Sequence, residues 1–213
     1  MYLQKHFEEV RTEVLHELIA AHPLGLLVRH GPGGLVADTV PWLLEAGDTP
    51  AGTLVGHVAR ANPLWKELAT GDEVLVVFQG PQAYVSPGWY PSKAEHGKVV
   101  PTWNYAMVQA RGRVTIQDDR AAVLDIVQRL SARHEGGRVR PWSVDEAPPE
   151  FIDTLLRAIV GVRITIDALV GKFKLSQNRP AADRAGVRDG LIADGGGERR
   201  AMVDWMQRLE PQA

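Results

Sequence analysis

The chain has 213 residues, 45% of them hydrophobic and 23% charged, which is the composition of a globular protein able to bury a core. It contains no cysteine, so disulfide bonds, thiolate metal sites and cysteine nucleophiles are excluded, and its net charge of -2 argues against a general polyanion binder. The N-terminus is charged from residue 5 onward, and no apolar run reaches membrane-spanning length. We therefore expect a cytoplasmic protein without membrane contacts.

Hydrophobic periodicity predicts the helices and strands. In chain order, helices are predicted at residues 8–21, from Asn62 and Pro63 to residue 68 or 69, after an N-cap at Asp118, at 149–159 and at 198–209. Strands are predicted at 24–30, 35–44, 53–59, 73–79, 82–86, 103–117 and 162–170. The strand at 73–79 is apolar on both faces, so we expect it to be central. Residues 180–197 read as a polar stretch that ends in a glycine run.

This pattern predicts a fold that is mainly β with peripheral helices, and antiparallel connections favour a closed or partly open barrel of six or so strands. We expect one barrel domain over residues 1–175 and a C-terminal helical extension, residues 176–213, packed on it.

Aromatic and polar side chains are interleaved between Leu54 and Tyr105. This third of the chain contains Trp65, Trp89 and Trp103 beside hydrogen-bonding residues. Flat aromatic surface mixed with polar groups suits a planar, phosphorylated ligand such as a flavin. The alternative is a pair of aromatic-rich hairpins at a subunit interface, where Trp and Tyr are also enriched.

The segment GHVARANP, residues 56–63, places Arg60 and Asn62 where a strand runs into a helix. A guanidinium beside the free N–H groups of a helix start is a ready anion site, which predicts a ligand phosphate near Arg60. The alternative is that Asn62 only caps the helix and that Arg60 is solvated.

Two further segments carry candidate ligands. Trp103 and Asn104 could contact a ring, although core packing is the simpler account of a strand tryptophan. The run GKFKLSQNR, residues 171–179, concentrates donors that could bind a heterocycle edge or a phosphate, and its alternative role is a solvated loop before the next helix.

Other chemistry has little support in the sequence. The seven histidines show no metal-ligand spacing, and all except His57 are better explained as structural or solvated. There is no P-loop, no dinucleotide fingerprint and no serine-nucleophile motif. We expect no metal, and no catalytic side chain is identified.

Six blocks then carry a family resemblance along nearly the whole chain. They are KHF at 5–7, GHVARANP at 56–63, FQGPQAYVSPGWYPSK at 78–93, VPTWNY at 100–105, IVGVRI at 159–164 and KLSQNR at 174–179. On these blocks the chain resembles the PaiB-type FMN-binding negative transcriptional regulator family of bacteria, which is similar to the pyridoxamine-phosphate-oxidase-like split barrels. Gln4, Gly25 and Phe173 depart from the usual pattern and lie outside the blocks expected to contact flavin.

The resemblance implies an FMN-binding split β-barrel, a homodimer with FMN in clefts between subunits, and DNA as a possible partner. With the arguments above, it gives the expected cofactor contacts as Thr39, His57, Val58, Arg60, Asn62, Trp103, Asn104, Lys174, Ser176, Gln177 and Asn178.

Two functions remain open at this point. One is the flavin-binding regulator that the family implies, and the other is an FMN-dependent oxidoreductase, either a flavin reductase or a small-substrate oxidase. A flavin supplies its own redox chemistry, so the lack of a catalytic side chain excludes neither. The candidate DNA contacts are C-terminal arginines whose field nearby acidic residues should largely cancel: Arg184, Arg188, Arg199, Arg200 and Arg208.

Overall fold

The structure is a computed structural model, and it describes residues 1–45 and 49–210. Its strands are β1 (Glu8–Glu9), β2 (Leu24–Gly31), β3 (Gly34–Pro41), β4 (Leu43–Glu45), β5 (Thr53–Ala59), β6 (Glu73–Val85), β7 (Thr102–Gln117) and β8 (Ile159–Lys174). Its α-helices are α1 (Thr12–Ala21), α2 (Leu64–Glu67), α3 (Ser92–His96), α4 (Arg120–Glu135), α5 (Pro149–Leu156), α6 (Ala181–Asp194) and α7 (Gly197–Arg208). Short 3-10 helices lie at Lys5–Phe7, Pro87–Trp89 and Val144–Glu146.

The strands form one sheet in the order β3-β2-β6-β7-β8-β5-β4, and β1 pairs with β8. The registered pairs are antiparallel, including the β2–β3 hairpin in which Leu24 faces Pro41 and Gly31 faces Gly34. The prediction of a mainly β fold with peripheral helices is therefore confirmed, and β6 has a strand on each side, as expected for a central strand. None of the helices in the described ranges is long and apolar enough to cross a membrane.

Several predicted boundaries were wrong. The first helix begins at Thr12 rather than at residue 8, and Val10 is exposed instead of belonging to its apolar stripe. The two strands predicted at 73–79 and 82–86 are one continuous strand, β6, in which the alternation of burial shifts by one residue at Gly80 and Pro81, both of which are buried. The stretch before the glycine run, predicted only to be polar, contains α6, whose buried residues are widely spaced among charged ones.

The caps of two helices also differ from expectation. Asp119, and not Asp118, caps α4, because its carboxylate accepts a hydrogen bond from the Ala122 N–H at 3.0 Å. The helix predicted at 149–159 ends at Leu156, and Ile159 already belongs to β8.

The chain divides into two compact units. We call residues 16–78 and 109–169 the central unit, and residues 1–15, 79–108 and 170–213 the terminal unit. In the central unit, α4 packs Ile126 and Leu130 against Val55 of β5. In the terminal unit, Trp205 of α7 meets Phe173 of β8 edge to face, with ring centroids 5.3 Å apart. The predicted division into residues 1–175 and 176–213 stays a prediction.

Candidate functional site

The predicted binding residues fall into two groups. The central unit contains Thr39, His57, Val58, Arg60 and Asn62. The terminal unit contains Trp103, Asn104, Lys174, Ser176, Gln177 and Asn178.

Arg60 follows β5 and is held by groups of the chain itself. Its guanidinium donates to both carboxylate oxygens of Asp118, to the Arg157 carbonyl at 2.7 Å and to the Ile159 carbonyl at 3.1 Å. The guanidinium also lies over the Trp65 ring, 5.3 Å from its centroid. The hydrogen bond with Asp118 raises the pKa of Arg60 and lowers that of Asp118. Most of the donors expected to meet a phosphate are thus satisfied internally.

Asn62 is satisfied in the same way. Its amide N–H donates to Asp38 at 2.8 Å, and its carbonyl oxygen accepts from the Leu64 N–H at 2.8 Å. Asn62 thus binds the first N–H of α2, although the N-cap position is Pro63 and not Asn62 as predicted. Helix α2 has only four residues instead of reaching residue 68 or 69, so little helix dipole is available to attract an anion.

His57 and Val58 lie in the second half of β5. The ladder between β5 and β8 covers the whole of Thr53–Ala59, whereas the ladder with β4 covers only Thr53–Val55. The Val58 side chain is buried in the core. The His57 ring is half-buried, its Nδ1 atom has no hydrogen-bond partner among the described residues, and burial lowers its pKa. His57 is therefore a neutral ring at pH 7 with one nitrogen still to be satisfied.

Thr39 is exposed on β3, opposite Leu26 of β2. Its neighbour Asp38 lies beside the buried guanidinium of Arg29, with 3.7 Å between Asp38 Oδ2 and Arg29 Nε. Arg29 Nη1 donates to Glu67 at 2.5 Å. Asp38 thus connects Asn62 to the β2–β3 hairpin.

Trp103 offers the exposed aromatic surface that the sequence predicts. Its side chain is 52% exposed on β7, and the Tyr84 ring meets it at 6.0 Å between centroids with an interplanar angle of 75°. Exposed aromatic faces on neighbouring positions can stack on a planar ligand.

Lys174 lies beside Trp103 at the end of β8. Its ammonium group donates to Thr102 Oγ1 and, at 2.7 Å, to the Trp103 carbonyl. Burial lowers its pKa, and the nearby charges of Lys172 and Arg179 lower it further. All the acceptors it meets are neutral, so this corner of the terminal unit has positive charge that attracts an anion.

Asn104, Ser176 and Gln177 are bound to one another or to the local backbone. Asn104 is fully buried and exchanges hydrogen bonds of 3.0 and 3.1 Å with Ser176, whose φ is +65°. Gln177 accepts from the Leu175 N–H at 2.7 Å and donates to the Phe173 carbonyl. These contacts fix the loop after β8, and they leave Asn178 exposed at its tip.

Sequence reasoning missed the residues that hydrogen-bond the predicted cofactor contacts Arg60 and Asn62. Asp118 was expected to cap a helix, and nothing in the sequence indicated that Asp38 or Asp118 would meet a partner from another element. Tyr84 was noted among the aromatic residues but not as the neighbour of Trp103, a pairing that follows from the adjacency of β6 and β7.

Comparison with known proteins gives a family match and full-length relatives. The model of a family described as "Putative FMN-binding domain" matches residues 1–168. An uncharacterized protein of Aspergillus fumigatus is 36% identical over 236 residues, covering 90% of each chain. The Protease synthase and sporulation protein PAI 2 of Bacillus subtilis is 30% identical over 209 residues, covering 97% of each chain.

A solved structure shows the same fold. The FAD and heme binding protein from Mycobacterium smegmatis superposes with a TM-score of 0.57 at 20% identity, covering 90% of this chain and 81% of that one. At this identity the likeness concerns the fold, and it agrees with the flavin-binding split barrel expected from the sequence.

Proposed function

Because the chain belongs to the FMN-binding domain family and its cofactor is FMN, we propose that it acts as a negative transcriptional regulator of the PaiB type. The observation that carries this proposal is the similarity to the Bacillus subtilis PAI 2 protein, which covers 97% of each chain. That relative is named for protease synthesis and sporulation.

The side chains present suit a flavin. FMN has a planar ring with polar edges and a doubly charged phosphate, and bound FMN supplies one- and two-electron redox chemistry. In the terminal unit, Trp103 exposes a flat ring face and Lys174 lies in a positive environment. In the central unit, His57 Nδ1 is a buried polar atom that still lacks a partner among the described residues.

We infer distinct roles for the predicted contacts. Trp103 would pack against the ring, Lys174 would attract the phosphate, and Asn178 would hydrogen-bond a polar edge. Thr39, His57 and Val58 stay as proposed contacts from the central unit, with Val58 acting through its backbone because its side chain is buried.

The other predicted contacts become supports. Arg60, Asn62, Asn104, Ser176 and Gln177 are engaged by the chain itself, so they would hold their segments in position.

A homodimer is part of the proposal, and an apolar face of the β2–β3 hairpin supports it. Leu24 and Leu26 of β2 alternate onto one face, and Leu35 of β3 lies on the same face by register. They are 64%, 39% and 79% exposed. Such a row of exposed leucines favours burial against a second copy.

Light scattering should therefore give a mass near twice 23.4 kDa. Leu26→Asp should shift the mass to the monomer, whereas Leu155→Asp, at an exposed position of α5, should leave it unchanged. A wild-type chain that stays monomeric at micromolar concentration would contradict the dimer.

The C-terminal arginines give little support to a direct DNA surface. Arg184 and Arg188 both donate to Glu210, and Arg199 lies 3.7 Å from Asp194. These pairs cancel much of the positive field, as the sequence predicts. We therefore expect DNA affinity that is micromolar or weaker, on the order of that of non-specific binders, and that falls steeply with salt. Tight, sequence-specific retardation of a promoter fragment at physiological salt would contradict this.

An FMN-dependent oxidoreductase is the second candidate, and the exposure of Trp103 favours it. An open aromatic face could accept a nicotinamide beside the flavin. Anaerobic addition of NADPH or NADH to the FMN-bound chain separates the two functions. Slow bleaching of the flavin absorbance supports the regulator, whereas bleaching within a turnover time supports the enzyme.

A further inference from the structure

The central unit contains a cavity of about 630 Å³ that none of the predicted cofactor contacts lines. It lies among α1, the segment around β4 and the end of α4. Its walls are His16, Ala20, Pro23, Trp42, Leu43, Leu44, Glu45, Thr49, Pro50, Gly52 and Arg133. This volume is in the range of pockets that hold small organic ligands.

Trp42 is the first indication of what the cavity binds. The indole is only 2% exposed, and its Nε1 has no hydrogen-bond partner among the described residues. The ring fits because two neighbours are glycine: a Cβ at Gly25 would lie 2.9 Å from Trp42 Cδ1, and one at Gly56 would lie 3.1 Å from Cε3. A buried N–H group without a partner is costly, so an acceptor supplied by a ligand would be favourable.

The charges around the cavity are the second indication. The Glu45 carboxylate is shared by Arg129 and by Arg163, the latter at 3.5 Å. Arg129 also pairs with Asp125. Arg133 lines the cavity and makes no ion pair or hydrogen bond within residues 1–45 and 49–210. The lining carboxylate of Glu45 is thus neutralised by arginines of the chain, and Arg133 is left as a positive charge at the cavity wall, which favours an anion.

The remaining walls are largely apolar. Ala20 and Pro23 lie on one side, and Leu43 and Leu44 lie on another. An apolar body, a hydrogen-bond acceptor and a negative charge together describe one chemical class. We propose that this cavity is a binding site for a small aromatic carboxylate, separate from the flavin contacts, with the carboxylate near Arg133 and an acceptor on Trp42 Nε1.

The test uses the FMN-bound chain and, as the probe, 6-hydroxy-2-naphthoate, whose hydroxyl oxygen is an acceptor at the far end of the ring system from the carboxylate. Calorimetry should show saturable binding of 6-hydroxy-2-naphthoate and at least about tenfold weaker binding of uncharged 6-(hydroxymethyl)-2-naphthol, since the charge-assisted bond is lost. In ¹⁵N-labelled protein, the indole N–H resonance of Trp42, assigned by its loss in Trp42→Phe, should move during the titration. The indole of Trp65 already donates to the Arg60 carbonyl at 2.9 Å, so its resonance is the internal control.

Two further variants leave the buried Trp42 in place, so they test the proposal even if Trp42→Phe does not fold. Arg133→Gln, at an exposed position, should weaken 6-hydroxy-2-naphthoate binding about tenfold. Arg138→Gln, which removes a nearby arginine that pairs with Glu135 outside the cavity, should change it less than about twofold. Absence of saturable binding, a stationary Trp42 resonance or equal affinity in Arg133→Gln would each overturn the proposal.

Discussion

Arg60 of the central unit and Lys174 of the terminal unit are both cations at the end of a strand, but their surroundings differ. Arg60 meets the carboxylate of Asp118 and two backbone carbonyls. Lys174 meets only neutral oxygens, and the charges nearest to it are those of Lys172 and Arg179. The first cation is neutralised within the chain, whereas the second keeps its attraction for an anion.

This difference separates supporting residues from ligand residues among side chains of similar type. Asn104 and Asn178 repeat the contrast, because one is fully buried and paired with Ser176 and the other is exposed. A polar side chain whose donors and acceptors are already satisfied contributes mainly to stability. One that lacks internal partners is the better candidate for binding.

Asn104→Ala should produce the largest effect. It leaves the Ser176 hydroxyl without its partner and opens a cavity in a fully buried place. We expect the free energy of unfolding to fall by about 2–4 kcal/mol. Chemical denaturation measures this loss, and Asn178→Ala is the matched control, expected to change stability by less than about 0.5 kcal/mol. Equal stabilities of the two variants would remove the distinction.

Lys174→Met should cause the next largest effect, on cofactor affinity. The substitution keeps the length of the side chain and removes its charge, so FMN should bind about tenfold more weakly, or about 1.4 kcal/mol. Quenching of flavin fluorescence during titration measures the dissociation constant.

Riboflavin, which lacks the phosphate, is the control ligand for this variant, and its affinity should be the same in both chains. Asp118→Asn provides the other side of the comparison, since it weakens the hold on Arg60 and should leave FMN affinity within about twofold. Unchanged FMN binding in Lys174→Met, or a large loss in Asp118→Asn, would reverse the assignment of the two cations.

Trp103→Ala should have a smaller effect. Loss of one stacking face should weaken FMN binding about fivefold, since such contacts contribute about 1 kcal/mol. Because the side chain is half exposed, thermal unfolding should change little. An unchanged affinity would show that Trp103 packs against something other than the flavin ring.

The sequence predicted the strands well because alternating burial is a local property. Strands β7 and β2 lie within one residue of the predicted bounds, whereas the strand predicted at 35–44 is divided into β3, which ends at Pro41, and β4, which begins at Leu43. Helix α6 was missed because its buried positions, Asp183, Val187 and Leu191, are separated by charged residues and include an acid. Its apolar stripe is therefore too weak to recognise.

The site was harder to predict than the fold. Residue type showed that Arg60 and Asn62 could bind an anion, but their partners Asp118 and Asp38 are 58 and 24 residues away in the chain. Such pairings depend on strand order and register, which a single sequence does not specify. Lys174 was identified by the cluster of donors around it, and that cluster is local.

The smallest predicted effect concerns Glu210, a satisfied carboxylate near the surface. The hydrogen bond from Arg188, assisted by that from Arg184, lowers the pKa of Glu210 below its usual value. A lowered pKa stabilises the folded state above the usual carboxyl pKa of about 4.3, and this contribution is lost as the pH falls. Glu210→Gln should therefore reduce the free energy of unfolding by about 0.5 kcal/mol at pH 7, with a smaller difference at pH 3 and in high salt. A difference that stays constant between these conditions would show that Glu210 acts through packing and not through the charge of its carboxylate.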